Sequence, residues 1–339
     1  MKIIVDAFGG DNAPVEILKG CALAVKELGV EIILTGDEQK IKEAAAQNSI
    51  SLEKMEIVHA SQVISIHDEP TALLKAFSDS SMAVGCKLLS EGKGDAFVSA
   101  GSTGALVVGA TLIVKRIKGI KRVAISTVIP CKDGCYLLTD AGANAECRPE
   151  MLTQFGIMGS IYMKKFLGIE NPRVGLVNIG VEETKGTPLQ LEAYEQMQKA
   201  PFNFIGNIEA REIPYGGCDV AVTDGFTGNV VLKLTEGLGS YLGKQVKAMF
   251  TSGPLAMLAA LAVKKQIGIF KSQMDYKEYG GAPLLGASKL VIKAHGSSDA
   301  KAFKNAIRQA VQCCNNDVVG QISSAIAELR AQEKAEAAE

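Results

Sequence analysis

Five short glycine-bearing stretches hold most of the residues able to do chemistry. One is Asp224-Gly225-Phe226-Thr227-Gly228-Asn229, inside "VAVTDGFTGNVVLKLTEGLG". The others are Phe8-Gly9-Gly10-Asp11-Asn12-Ala13-Pro14, Ala100-Gly101-Ser102-Thr103-Gly104-Ala105, Asp140-Ala141-Gly142-Ala143-Asn144 and Ile179-Gly180-Val181-Glu182-Glu183-Thr184-Lys185-Gly186. Glycine lets main-chain N–H groups approach a ligand closely, and a following helix adds partial positive charge. Such loops suit phosphate or a developing oxyanion. Taken singly, a Gly-Thr-Gly at a strand–helix junction serves equally as a tight turn, with Thr103 or Thr227 as helix cap. Five together favour an anion site.

The side chains narrow the chemistry. Lys185 is the only lysine within the five loops; its ammonium suits phosphate or a tetrahedral oxyanion, the alternative being a surface pair with Glu182 at i, i+3. Asn144, Asn178 and Asn229 offer neutral amide donors. Asp6, Asp11 and Asp224 cannot face phosphate bare, so they are expected to fix loop backbones or hold Lys185. Ser99, Ser102 and Thr103 have no sequence-near histidine, and the chain has only His59, His67 and His295. His295 precedes Gly296-Ser297-Ser298-Asp299, a helix-cap sequence, and is a candidate for lining the pocket. Donors for an anion without a protein nucleophile imply that the substrate brings the nucleophile, and inorganic phosphate would do so. No metal site is expected: Cys131-x3-Cys135 lacks a second ligand pair, and six oxygen ligands at metal spacing are not evident. Neither a dinucleotide GxGxxG nor a Walker sequence occurs.

Positioning such loops requires strands that stop where helices start. Strands are expected at Lys2–Ala7, Glu31–Thr35, Met55–His59, Asp95–Ser99, Arg173–Asn178 and Asp219–Thr223. Helical patterns lie at Pro14–Leu28, Pro70–Ser90, Thr103–Lys115, Pro149–Phe166 and Pro188–Lys199. The rhythm implies a mostly parallel sheet with helices on both faces, and ligands at its strand ends. On that basis the five loops are expected along one edge. Two apolar runs around Lys132-Asp133-Gly134 read as an antiparallel hairpin, and Asp299–Leu329 as C-terminal helices. Residues 1–330 are expected to form a single intertwined α/β unit with a protruding helical segment at 240–275, and 331–339 a solvated tail.

The 339 residues are 47% hydrophobic, with 36 basic and 37 acidic side chains. That balance gives no sign of nucleic-acid binding. Eight scattered cysteines and an opening strand, "MKIIVDAFGG", without a secretory leader, read as a cytoplasmic protein with reduced thiols. No apolar run reaches the roughly 18 residues of a membrane-spanning helix.

In order and spacing, "DAFGGDNAP", "SAGSTGA", "DAGAN", "NIGVEETKG", "GNIEAREI", "VTDGFTGNVVLK", "GGAPLLG" and "HGSSDAKAF" resemble the bacterial phosphate acyltransferases of phospholipid synthesis, from Ile3 to about Phe303. Members of that family convert acyl-acyl-carrier-protein and phosphate into acyl phosphate. The resemblance implies a doubly wound α/β/α sandwich like the isopropylmalate dehydrogenases and phosphotransacetylases, a homodimer, peripheral membrane attachment and no cofactor. A glycerol-3-phosphate acyltransferase using the acyl phosphate would act downstream. Lys185 and Asn229 take the catalytic roles, with Asp6, Gly9, Gly10, Asp11, Ser102, Thr103, Gly104, Asn144, Asn178, Glu182, Gly186, Asp224, Thr227, Gly228 and His295 around the substrate. The chain departs from the family in having Ser102 for asparagine and Ala210 for glycine. Before "DSSM" it keeps only Lys75 of a basic run.

Two surfaces are candidates for partners. "VKRIKGIKR" brings Lys115, Arg116, Lys118, Lys121 and Arg122 together, a landing area for an acidic carrier protein or a solvated helix end. In "SGPLAMLAALAVKKQIGIFK", Leu255, Leu258 and Leu261 share a face with Lys264 and Lys265 beyond, suited to a membrane surface or a dimer interface. Competing readings are a phosphotransacetylase-like enzyme using coenzyme A and a non-catalytic carrier-protein-binding scaffold at the membrane.

Overall fold

The structure, a computed structural model, describes residues 1–132, 134–267 and 280–336. In chain order it runs β1 (Lys2–Asp6), α1 (Val15–Leu28), β2 (Glu31–Gly36), α2 (Glu38–Gln47), β3 (Met55–His59), α3 (Ser81–Ser90), β4 (Ala96–Ser99) and α4 (Thr103–Val108). There follow β5 (Ala124–Cys131), β6 (Gly134–Thr139), α5 (Pro149–Leu167), β7 (Arg173–Asn178), α6 (Pro188–Gln198), β8 (Asn203–Glu209), β9 (Val220–Val222) and α7 (Gly225–Phe250). The last elements are α8 (Pro254–Ala262), β10 (Ala282–Leu285), β11 (Leu290–Lys293), α9 (Ala300–Asn315) and α10 (Val318–Glu336). Runs such as Ile3-Ile4-Val5 and Ile32-Ile33-Leu34 are buried throughout, because helices cover the sheet on both faces. One apolar layer sets Leu18 of α1, Phe155 of α5 and Phe303 of α9 against Val5 and Val98. The other packs Met82, Leu89 and Leu106 against Ile4 and Phe97. The doubly wound α/β/α class read from the sequence is the class observed.

Among the described residues, eleven strands form one sheet in the order β3-β2-β1-β4-β11-β10-β5-β6-β9-β7-β8. The β3-to-β11 side is parallel, as is the β6-to-β8 side. Between them lie three antiparallel pairings, β11–β10, β10–β5 and the expected hairpin β5–β6. An odd number of reversals turns the second side to run against the first. The expectation of five loops along one edge is thereby corrected: the loops after β1 and β4 leave in one direction, those after β6, β7 and β9 in the other. Asp133 of the expected hairpin, residues 268–275 of the segment expected to protrude and 337–339 of the expected tail lie outside the described residues.

Helix α7 connects the two sets of loops. Asp224 caps it, its carboxylate accepting from the Thr227 N–H at 2.8 Å and the Thr227 hydroxyl at 2.9 Å. Glycine is required where the helix starts. A Cβ on Gly228 would lie 1.8 Å from the Asp140 main-chain oxygen, and one on Gly225 would lie 2.6 Å from that of Asn144. The helix is therefore seated directly on the end of β6, and its next turns fall at positions 229, 232, 233 and 236, a single face at i, i+3, i+4 and i+7.

Candidate active site

A cavity of about 520 Å³ opens where that face meets the ends of β1, β4 and β11. Phe8–Asp11 line it from β1, Ala100–Thr103 from β4, Lys293–Gly296 from β11, and Asn229, Leu232, Lys233 and Glu236 from α7. Val63, Ile64 and Ile66, with Ile125 and Val128 of β5, supply apolar wall. The polar loops are laced together from beneath. The Ser99 hydroxyl donates to Asp6 at 2.7 Å, the Gly101 N–H to Ser99 at 3.0 Å, and the Asp11 N–H to the Gly296 carbonyl at 2.8 Å. Gly9 fits because a Cβ there would lie 2.6 Å from both Asp6 Oδ2 and the Gly101 nitrogen. Asp6 is fully buried; burial pushes its pKa up, and hydrogen bonds from Ser81, Ser99 and the Phe8 and Gly9 amides oppose the shift.

Of the residues singled out from the sequence, Gly9, Gly10, Asp11, Ser102, Thr103, Asn229 and His295 line this cavity. Ser102 caps α4, accepting from the Ala105 N–H at 3.5 Å, and leaves Thr103 exposed at the rim. His295 Nδ1 accepts the Ser297 N–H at 3.2 Å, so in the neutral ring the proton sits on Nε2. Gly104 packs against Pro70 instead.

The remaining residues gather around the other set of strand ends. Asp140, buried after β6, accepts from the N–H groups of Ile125, Gly142, Ala143 and Asn144 and from the Asn144 side-chain amide, at 2.7–3.1 Å. Burial raises its pKa, and these donors oppose the shift. Asn144 spends its amide there and on the Val123 carbonyl at 2.8 Å. Asn178 accepts from the Ile179 N–H at 2.8 Å and donates to the Lys185 carbonyl at 3.0 Å, shaping the β7 loop. Gly186 in that loop has φ +105°. Lys185 itself is exposed, outside the cavity lining, and its N–H donates to the Glu182 carbonyl. Asn229 is the link between the groups, since a Cβ on Gly142 would lie 3.4 Å from its Oδ1.

Comparison with known proteins places the chain. The model of a family described as fatty acid synthesis protein matches residues 1–321. The chain belongs to this family. A relative named phosphate acyltransferase in Alkaliphilus oremlandii is 50% identical over 329 residues, covering 97% of this chain and 98% of its own. Another of that name in Clostridium acetobutylicum is 46% identical over 330 residues, covering 97% and 100%. Among solved structures, a phosphotransacetylase from Streptococcus pyogenes matches with a TM-score of 0.65 at 15% identity, over 93% of this chain and 94% of that one. The EutD phosphotransacetylase from Staphylococcus aureus matches at 0.62 and 18% identity, with the same coverage. At these identities the two structures show the fold. The family resemblance carried by the eight ordered motifs is borne out.

Two features of the site carry no local sequence signature of the kind used above. Asp140, within "DAGAN", organises that loop from beneath. Lys293 closes the short run "LVIK" and reaches the cavity from a strand that no sequence pattern had marked. The lysine–histidine pairing within "IKAHG", two residues apart at a strand end, was the available signal.

The two stretches expected to meet partners both lie at the surface. Lys115, Arg116, Lys118, Lys121 and Arg122 are all exposed. Arg116 bonds the Lys121 carbonyl, and Lys121 pairs with Glu150 at 3.5 Å. Arg116 and Lys118 border a second hollow beside Asp95, at the start of β4 and thus at the opposite end of that strand from the cavity. Helix α8 has no buried residue; Leu255, Leu258 and Leu261 are 83%, 63% and 68% exposed, and Lys264 and Lys265 follow, exposed as well. Among the described residues no helix is long and apolar enough to cross a membrane.

Proposed function

We propose that the chain transfers an acyl group from an acyl-carrier-protein thioester to inorganic phosphate, releasing the carrier's thiol and forming acyl phosphate for phospholipid synthesis. The observation that carries this reading is the cavity itself, where amide- and hydroxyl-bearing glycine loops and Asn229 meet an apolar wall of Val63, Ile64, Ile66 and Val128. The donors suit phosphate, and the apolar side suits a fatty acyl chain. A phosphate oxygen attacks the thioester carbonyl, a tetrahedral oxyanion forms, and the thiolate leaves. With a thiol pKa near ~8.5 the leaving group needs no strong acid, so positioning and charge stabilisation supply the catalysis. Asn229 orients phosphate or carbonyl, and Lys185, exposed outside the lining, meets phosphate and oxyanion by reaching in from the β7 loop.

The exposed Lys115–Arg122 patch receives the acidic carrier protein. The apolar tip of α8 lies in a membrane surface, with Lys264 and Lys265 toward anionic headgroups. Leu234, Leu238, Tyr241 and Leu242 of α7, each about half exposed, form the contact of a homodimer. A glycerol-3-phosphate acyltransferase consumes the product. Because the solved neighbours are described as phosphotransacetylases, coenzyme A is the competing thiol. Incubation with acyl-carrier-protein or acyl-coenzyme A and phosphate, followed by hydroxylamine trapping, tests both readings. Hydroxamate from the carrier thioester supports the proposal. Hydroxamate from the coenzyme A ester alone favours the alternative, and none from either favours a scaffold.

A further inference from the structure

We propose that Lys293 is the ammonium that holds inorganic phosphate in this cavity, between the Gly9–Gly10 and Ser102–Thr103 loops. The proposal rests on the phosphate-transfer reading above and names the cation within it. Strand β11 is wedged between β4 and β10, with Lys293 in register with Ser99 on one side and Ala282 on the other. That register delivers a lysine between the two glycine loops. Its Nζ donates to the Ala100 carbonyl at 3.2 Å and to the Ala294 carbonyl. An ammonium has three N–H groups, so two carbonyls leave one donor, and the positive charge, without an anionic partner among the described residues.

The charged groups facing it do not fill that place. Asp6 on β1 lies beneath and is held by Ser99, while Asp11 is exposed on the next loop. On α7, Lys233 is paired with Glu236 at 2.8 Å, and on its own strand's exit His295 holds Ser297 at 2.9 Å. Burial pushes the Lys293 pKa down to about 8; Asp6 and Asp11 oppose this, and the Lys233 charge adds to it. The cost of burying the ammonium is felt below pH 8 and fades as pH climbs toward the ordinary lysine value of 10.5. A phosphate seated beside it restores the charge and draws the proton back. Lys185 lies outside the lining, so the two lysines have separable effects.

The test uses the full-length protein and inorganic phosphate alone, by calorimetry in buffers of different ionisation enthalpy, with Lys293→Met and Lys293→Arg beside wild type. Losing one charged hydrogen-bonding partner weakens phosphate binding about 10- to 100-fold, and arginine recovers most of it. At pH 8 wild type takes up more protons per phosphate bound than the methionine variant does. The methionine variant also melts higher than wild type at pH 7, a difference that shrinks by pH 10, and keeps its KM for the carrier thioester within about twofold while KM for phosphate rises. Unchanged phosphate affinity in Lys293→Met, or equal proton uptake in the two proteins, overturns the assignment. Wild type that binds phosphate through Lys293 yet forms no acyl phosphate upholds the site and sinks the acyl-transfer reading instead.

Discussion

Replacing Gly228 with alanine tests whether the seat of α7 on β6 sets the active-site geometry. The new methyl carbon would stand 1.8 Å from the Asp140 main-chain oxygen and 3.0 Å from Thr223 Cγ2. The nearest obstacle is backbone, held by the peptide that ends β6, so no side-chain rotation relieves it. Restoring an ordinary contact means moving α7 outward by more than ~1 Å in a close-packed interior. Asn229 is the next residue, and Leu232, Lys233 and Glu236 ride on the same rigid helix, so the shift reaches the cavity wall undiminished. Overpacking of this kind costs ~1–3 kcal/mol, which lowers Tm by roughly 1–4 °C in a chain of this size. A misplacement near ~1 Å costs about a hundredfold in rate. The assay is acyl phosphate formation with thermal unfolding on the same preparations. Gly243→Ala is the control: farther along the same helix and on the side away from Leu234 and Leu238, its Cβ would meet nothing within 4 Å, so it should keep full turnover and gain up to ~1 kcal/mol. Wild-type turnover in folded Gly228→Ala would refute the claim that this contact positions Asn229.

Three further outcomes follow from the same structure. Lys185→Ala, altering an exposed side chain, should stay folded and lose about a hundredfold in kcat; near-normal acyl phosphate formation would remove Lys185 from the mechanism. Reversing charge at Lys118 and Arg122 should raise KM for the carrier thioester, with a weaker salt dependence than wild type, and kinetics unchanged at low salt would leave those residues as solvated surface. Leu258→Glu should release the protein from anionic vesicles with soluble activity intact, whereas loss of a dimer in sedimentation would assign α8 to the interface between copies.

Strands with β-branched runs were legible, and β1, β2, β3 and β7 lie within a residue of where periodicity put them. The helix expected over Pro70–Ser90 is instead a 3₁₀ turn at Pro70–Leu74 followed by α3 from Ser81. Ser80 caps α3 by accepting from the Ala83 N–H at 3.2 Å, a signal present in "SDSSM" but overridden by the apolar pattern. Strand β8 was missed because Gly206, at φ +92°, breaks its run near a register shift against β7. Strands β10 and β11 are four residues each, too short to show a period. The two antiparallel pairings of β10 cancel in direction, so the reversal of the second half comes from the β5–β6 hairpin, while β11 is what brings Lys293 to the cavity. The loops could therefore be named from their glycines, but their grouping depends on long-range pairing that no local pattern encodes.

The most direct measurement counts products in a single turnover with carrier-bound acyl thioester and radiolabelled inorganic phosphate. One labelled acyl phosphate per carrier thiol released, with no thiol released when phosphate is left out, is the predicted result. Thiol released without labelled acyl phosphate would contradict the account.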